Sequence, residues 1–455
     1  MMSCITRPAS IKPKMAVIWA RVPLICALEH PLHINKATFA LLTCGLLWSV
    51  YAILGDDPHM HEAIVTQLGD ACEIVVFLIG AMTIVEIIDR YGGFSFITEN
   101  INAKSKRHLL WIMCTLSFIM SAVLDNMTTT IIMVMMLRRL LSDQKERWLF
   151  AGLIVIAANA GGAFSPIGDV TTIMLWMDEK VSSVGLITNL LIPSIIAMVV
   201  PVLIAQFYIK EGKMQKITRM SDKNPDLHDR HPHLSKAMLI IGVSGLLFVP
   251  IFKTLTGLPP FMGIMLSLGV IWGITEIWVK RFKIDSKMGG RVSSALHTID
   301  MPTILFFLGI LMAVSALSEV GVLNSLADGM NTKIHQPVLM TSIIGVLSSI
   351  VDNVPLVSAC IKMFENMAPA GTTDPYLLTF VEDGLFWHLL TFCAGVGGSL
   401  LIIGSAAGVV AMGIEKIPFF WYFKRVSLLA LAGYVAGIVI IYLESLCPFF
   451  LQAGG

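Results

Sequence analysis

Long apolar runs separated by short polar stretches dominate this chain, and their lengths set the first picture. Runs near 37–54, 71–88, 148–176, 185–209, 236–252, 259–279, 299–317, 383–414 and 420–445 predict membrane spans. Two further apolar regions, 109–137 and 337–364, break at Asp125-Asn126 and Asp352-Asn353. Each of their arms has roughly 10–15 residues, about 15–22 Å of helix, against a bilayer core of about 30 Å. Two short arms meeting at a polar tip predict a re-entrant hairpin. Such backbone is tolerated at membrane depth only where it is buried in protein or lines a wet cavity. The expected fold is an all-α polytopic membrane protein.

Composition agrees with the pattern. The 455 residues are 56% hydrophobic and 14% charged, with a mean hydropathy of +0.78, whereas soluble domains carry about 25% charged residues. The eight cysteines are scattered and show no CxxC or Cys/His ligand spacing, so neither a disulfide frame nor a zinc site is expected. Residues 15–28 are apolar but interrupted by Arg21 and Pro23. They read as an interfacial segment or a short first helix, not as a cleavable signal. His108 and His388 read as structural or interfacial, and His228, His231 and His233 as part of a solvated loop.

Charge is segregated by side. With both ends of the first hairpin facing the cytoplasm, the cytoplasmic segments hold 24 Lys and Arg residues and the opposite side holds 4. That bias fixes an orientation by the positive-inside rule, and it requires that 109–137 turn back instead of crossing. The second hairpin then enters from the other side. The loop 55–70 carries Asp56, Asp57, Glu62 and Asp70 without a basic residue, as an external loop can.

The chain also repeats itself. FLIGAMTIVEIIDRYGGF (77–94) aligns with FFLGILMAVSALSEVGVL (306–323) at an offset of 229, Asp125 with Asp352 at 227, and NAGGAFSPIGDVTT (159–172) with GVGGSLLIIGSAAG (395–408) at 236. The expectation is two inverted structural repeats, each with a re-entrant hairpin and a broken helix. Expected boundaries are an N-terminal segment 1–36, a first membrane repeat 37–209, a cytoplasmic linker 210–235 and a second membrane repeat 236–455.

A carboxylate at bilayer depth costs about 2.5–3.5 kcal/mol, so Asp125 and Asp352 read as functional. They also suit the N-cap of the second hairpin arm. Gly161, Gly162, Pro166 and Gly168 interrupt an apolar helix beside Ser165 and Asp169, freeing backbone carbonyls. A small hard cation takes carboxylate, carbonyl and hydroxyl oxygens. Asp125, Asn126, Thr129, Ser165, Asp169, Asp352 and Asn353 offer that set, with Glu86 and Ser405 as secondary candidates. Ser405 stands in the second copy where Asp169 stands in the first, so the negative charge is expected to be asymmetric. Carboxylates without a basic neighbour hold a proton when empty and give it up to an arriving cation, which is the minimum an exchanger needs.

LDNMTTTIIM (124–133), NAGGAFSPIGDVTTIMLW (159–176), VDNVPLVSA (351–359) and GGSLLIIGSAAGVVAMG (397–413) resemble the NhaD-type sodium/proton antiporters of the ion-transporter superfamily, with support from FLIGAMTIVEIID (77–89) and EHPLHINKATFALLT (29–43). The resemblance covers roughly residues 29–445. It implies export of Na⁺ or Li⁺ in exchange for H⁺ across the cell's inner (cytoplasmic) membrane, with no cofactor and no nucleic-acid partner. It also implies a homodimer joined through scaffold helices, and functional acids at Asp125, Asp169 and Asp352, with Glu86 a further candidate. The chain departs from the family at 15–28, where members have a longer apolar first helix. Alternatives are a dicarboxylate or arsenite carrier of the same superfamily, an intramembrane aspartyl protease and a cation channel. An anionic cargo calls for neutral, hydroxyl-rich tips. A protease of that kind resembles a GxGD motif, and here Pro166 stands in the first glycine's place.

Overall fold

The computed structural model describes residues 15, 35–54, 58–94, 103, 105–209, 232–284, 291–369 and 371–446. The expected interfacial stretch 15–28, beyond Met15, and most of the linker 210–235 lie outside them. Among the described residues the structure is all helical, and seven helices are long and apolar enough to cross a membrane.

Five of those seven form one side of the molecule. They are α1 (Lys36–Leu54), α2 (Met60–Arg90), α8 (Pro232–Thr256), α9 (Pro260–Arg281) and α11 (Met301–Val320). Helix α11 packs on α1 and α2, and α2 on α8 and α9. The α1–α11 crossing is close because Gly309 lies against the Ala40 backbone, where a Cβ would come within 2.9 Å of a main-chain atom. Trp48 ties the same crossing by donating its indole N–H to the Met312 carbonyl at 2.9 Å. Leu247, Ile251 and Leu255 of α8 and Met265, Leu266 and Val270 of α9 stay exposed, as side chains facing lipid do.

The other side holds the short helices. In the first half, α3 (Lys106–Ser121) and α4 (Asn126–Leu140) form the first hairpin. Helices α5 (Gln144–Ala163) and α6 (Val170–Met177) form a broken helix. In the second half, α13 (Pro337–Ser348) and α14 (Asn353–Phe364) pair as a hairpin, and α15 (Leu385–Gly397) and α16 (Ala406–Glu415) as a broken helix. Two long helices, α7 (Ser183–Ala205) and α18 (Ser427–Ser445), pack on each other and cover the broken helices. From Phe150 to Ala163, α5 is buried on every side, as a helix apolar all round must be.

Both hairpins turn back. Lys106, at the start of α3, bonds Glu146 at the start of α5 at 2.7 Å. Arg138, near the end of α4, shares the carboxylate of Glu415 with Arg147 of α5, at 2.8 and 2.9 Å. Both ends of the first hairpin thus meet the start of α5. Glu415 ends α16, so the second broken helix finishes at this base. On the second hairpin, Phe364 at the end of α14 stacks on Phe380 and packs at a tilt against Phe386, the latter at the start of α15. Tyr376 stacks on His335, just before α13, at 4.0 Å, and also meets Phe380. The first broken helix finishes there, where the Asp383 N–H donates to the Lys180 carbonyl at 3.0 Å.

The interior contacts of the two halves recur at the sequence offsets. Ser121 Oγ donates to the Ala158 carbonyl at 2.6 Å, and Ser348 Oγ to the Ala394 carbonyl at 2.9 Å. Gly161 lies so close to Phe118 that a Cβ would sit 2.2 Å from its carbonyl oxygen, and Gly397 stands in the same relation to Gly345. Only glycine allows a helix to approach a hairpin arm so closely.

Three expectations are corrected. Residues 60–70, read as an acidic external loop, are helical and extend the span 71–88 back to Met60; they contain no proline, and polar residues do not by themselves end a helix. The span 420–445 is divided at Val426 into α17 (Phe419–Arg425) and α18. Two helices were not foreseen: the five-residue α10 (Val292–Leu296) and the amphipathic α12 (Val322–Ile334). Helix α12 follows α11 because Gly321 adopts a left-handed turn at φ 78°.

Candidate functional site

Four half-helices begin near one point at the centre of this side, and each begins with a polar cap. Asp125 caps α4, accepting from the Thr128 N–H at 2.7 Å and the Thr128 hydroxyl at 2.5 Å. Asp169 caps α6, accepting at one oxygen from the N–H and hydroxyl of Thr171 at 2.9 and 3.0 Å. Thr172 closes a capping box by accepting from the Asp169 N–H. Asp352 caps α14 more loosely, at 3.4 Å from the Val354 N–H. Ser405 caps α16, accepting from the Gly408 N–H at 3.1 Å. A short polar side chain starts each half-helix. Glycines interrupt the chain ahead of it in the two broken helices, with Pro166 added in the first, whereas at the hairpin tips the aspartate follows an apolar run without glycine or proline.

Asp169 sits at the middle and is 2% exposed. Its second oxygen accepts from the Asn126 amide at 2.6 Å and the Asn353 amide at 3.5 Å. One asparagine from each hairpin tip therefore reaches one carboxylate of the first broken helix. Its partners are all neutral, and Asp125 and Asp352 lie close enough for their charges to bear on it. Ser165 fixes the break to the first tip, donating to the Ala122 carbonyl at 2.5 Å. Thr129 is buried one turn after Asp125, and its hydroxyl has no partner among the described residues.

Glu86 is not brought to this point. It pairs with Arg90 at 2.8 Å and accepts from the Thr298 hydroxyl at 2.8 Å, beside the end of α2. Its arginine lay in view one helical turn on, at i+4. Sequence reasoning passed over Asn159. Its amide donates to Ser399 at 2.8 Å and Ser405 at 3.0 Å, and its oxygen accepts from Asn126 at 3.0 Å. The residue thus links the first tip to the second broken helix. The available signal was a lone amide in the apolar run LIVIAANAGG.

Membrane-crossing helices around a buried set of tips, breaks and carboxylates are the build of a secondary transporter. The family model described as "Citrate transporter" matches residues 15–381, and the chain belongs to that family. Two relatives from Arabidopsis thaliana, named sodium/proton antiporter 1 and sodium/proton antiporter 2, are each 42% identical to it. They align over 90% and 93% of this chain and 68% and 98% of their own lengths. The Na⁺/H⁺ antiporter NhaD of Halomonas elongata is 29% identical over 90% of this chain and 84% of its own. The NhaD-type resemblance read from the motifs is borne out by these names. They are names of transporters, not of enzymes, which leaves the protease reading without support.

Proposed function

We propose that this protein exchanges Na⁺, or Li⁺, for H⁺ across a membrane by alternating access, with cation and proton competing for buried aspartates. The observation that carries the reading is Asp169: a buried carboxylate, held by neutral partners from both hairpins, in a chain similar to proteins named sodium/proton antiporters. Such a group is costly to leave charged and alone, so a proton or a cation satisfies it in turn. Asp125, Asn126, Thr129, Ser165, Asp352 and Asn353 complete the proposed cation shell, and Asn159 and Ser405 position it. When a cation arrives, rotating the Asn126 and Asn353 amides presents oxygen in place of N–H. The carboxylate that they held is then free to ligate.

The two halves act as inverted repeats in this reading. In support, each broken helix starts at the base of one hairpin and ends at the base of the other, the two running in opposite senses. The protein lies in the cell's inner membrane with the linker 210–235 cytoplasmic, an orientation supported by the 24-to-4 bias of basic residues. It forms a homodimer through α1, α2, α8, α9 or α11, as the resemblance implies.

The test is dequenching of a pH-sensitive dye in everted vesicles on addition of Na⁺ or Li⁺, comparing wild type with Asp169→Asn. Collapse of the proton gradient in wild type alone is the expected result. The reading fails if neither cation moves protons at any pH, and uptake of labelled citrate or dicarboxylate in the same vesicles would then favour an anion carrier.

A further inference from the structure

A cavity with about 60 Å³ open to the centre of a water-sized sphere lies between the five-helix side and the first hairpin tip. One water needs roughly 10–15 Å³ of such space, so the cavity takes a group several waters in size. Phe77 of α2, Ile264 of α9 and Phe307 of α11 form one wall; Val123, Asp125 and Ile173 stand on the other. Of all the lining residues only Asp125, Asn126 and Thr303 are polar, and none is basic. Two of those three are already engaged. The Thr303 hydroxyl donates to Asp300 at 2.5 Å, and the Asn126 amide is shared between Asn159 and Asp169. Asp125 accepts only from Thr128, so each of its oxygens keeps a lone pair, and its carboxylate meets no basic side chain among the described residues.

These walls are wrong for a bare or hydrated sodium ion. Hydrocarbon supplies no oxygen to replace the water that the ion would shed. They suit a cation whose remaining surface is itself apolar, because burying that surface is favourable while the single charge meets Asp125. We propose that this cavity binds a lipophilic organic ammonium ion, with its aryl or alkyl body between Phe77, Ile264 and Phe307 and its charged head on Asp125. Bound there, the molecule touches both sides of the protein at once. It holds the hairpin tip against α2, α9 and α11, and it occupies a carboxylate that the proposed cation shell needs. Transport is therefore inhibited, and sodium relieves the inhibition by competing for Asp125. Binding itself does not depend on the exchange reading; only the competition with sodium does.

The probe is 4-phenylbutyltrimethylammonium, whose fixed charge carries no protons across a vesicle. Its control is 4-phenylbutane-1-sulfonate, with the same body and the opposite charge. Binding is measured by calorimetry on the full-length protein in lipid nanodiscs, with ionic strength held by N-methylglucamine chloride. The ammonium ion is expected to bind and the sulfonate not, and Asp125→Asn is expected to abolish the heat. Ala81 also lines the cavity and is no part of the cation shell. Ala81→Phe fills the space and should remove binding while leaving sodium-driven exchange in probe-free vesicles as in wild type. Met82→Trp, at another lining position, serves if that variant does not fold. Equal binding of ammonium and sulfonate, or undiminished affinity in a folded cavity-filling variant, overturns the proposal. Replacing N-methylglucamine with sodium should weaken the ammonium's binding. If wild type shows no exchange while the ammonium still binds, the exchange reading has failed and this one stands.

Discussion

The two helix breaks, 163–170 and 397–406, share a frame and differ in chemistry. Each is pinned by a serine hydroxyl on a main-chain carbonyl, Ser121 on Ala158 and Ser348 on Ala394. Each lets a glycine, Gly161 or Gly397, touch a hairpin arm. Yet the first break ends on the carboxylate of Asp169 and the second on the hydroxyl of Ser405. Asn159 projects from the first broken helix at the position where the second has Gly395. What has been kept in duplicate is backbone contact, and what has diverged is the functional group. The frame sets where the half-helices meet, and the side chains of one half set what they meet around.

The sharpest test of that asymmetry is to exchange the charge. Asp169→Asn should lower sodium-driven dye dequenching roughly 100-fold, in line with the ~1.5–3 kcal/mol carried by interactions of a charged group. Ser405→Ala, at the matching position, should leave exchange within a factor of about 5, since a serine cap is worth roughly 1 kcal/mol. Equal losses would mean that the halves contribute alike. A second contrast lies at the far ends of the broken helices. Glu415 is fully buried between Arg138 and Arg147. Its counterpart 236 positions earlier, Glu179, is exposed. Glu415→Gln should destabilise the protein by about 3 kcal/mol, as breaking a buried ion pair does, whereas Glu179→Gln should not shift the thermal midpoint.

A third variant pair asks whether the frame is truly common. Gly161→Ala and Gly397→Ala each force a Cβ to 2.2 Å from a carbonyl oxygen. Both should cost about 1–3 kcal/mol of stability, the usual cost of overpacking, in thermal unfolding of purified protein. If one half tolerates its alanine, the shared frame is not shared in energy. A much smaller effect than that of Asp169→Asn is expected for Asn159→Ala. It removes a link between the halves without removing a charge, so it should raise the apparent KM for sodium about fivefold, equivalent to roughly 1 kcal/mol, with folding intact.

The broad plan was readable because membrane physics writes it plainly. A carboxylate inside an apolar run marks a tip, as at Asp125 and Asp352, and a Gly-Gly followed by Pro marks a break, as at 161–168. The capping roles of both tip aspartates followed from residue type alone. The start of α2 was lost because hydropathy measures burial in lipid and not helix formation. Asn159 was lost because uncharged amides carry a weak hydropathy signal; its importance comes from partners more than 200 residues away, Ser399 and Ser405, which no local pattern reveals. Glu86 was over-read for the converse reason. An isolated acid in a span is informative only until an arginine one turn away is counted with it.

The four caps carry one further meaning. Every half-helix at the centre starts there, and a helix start bears about half a positive charge. Aspartates at Asp125, Asp169 and Asp352 reverse the sign of three of these ends, while Ser405 leaves the fourth as it is. The glycine contacts and serine hydrogen bonds that fix each break on its hairpin do not involve those carboxylates. With serine or threonine in place of the three aspartates, the centre would hold four helix starts without a carboxylate, the electrostatic setting that favours an anion. A family that includes both citrate carriers and sodium exchangers can change the sign of its cargo without rebuilding its fold.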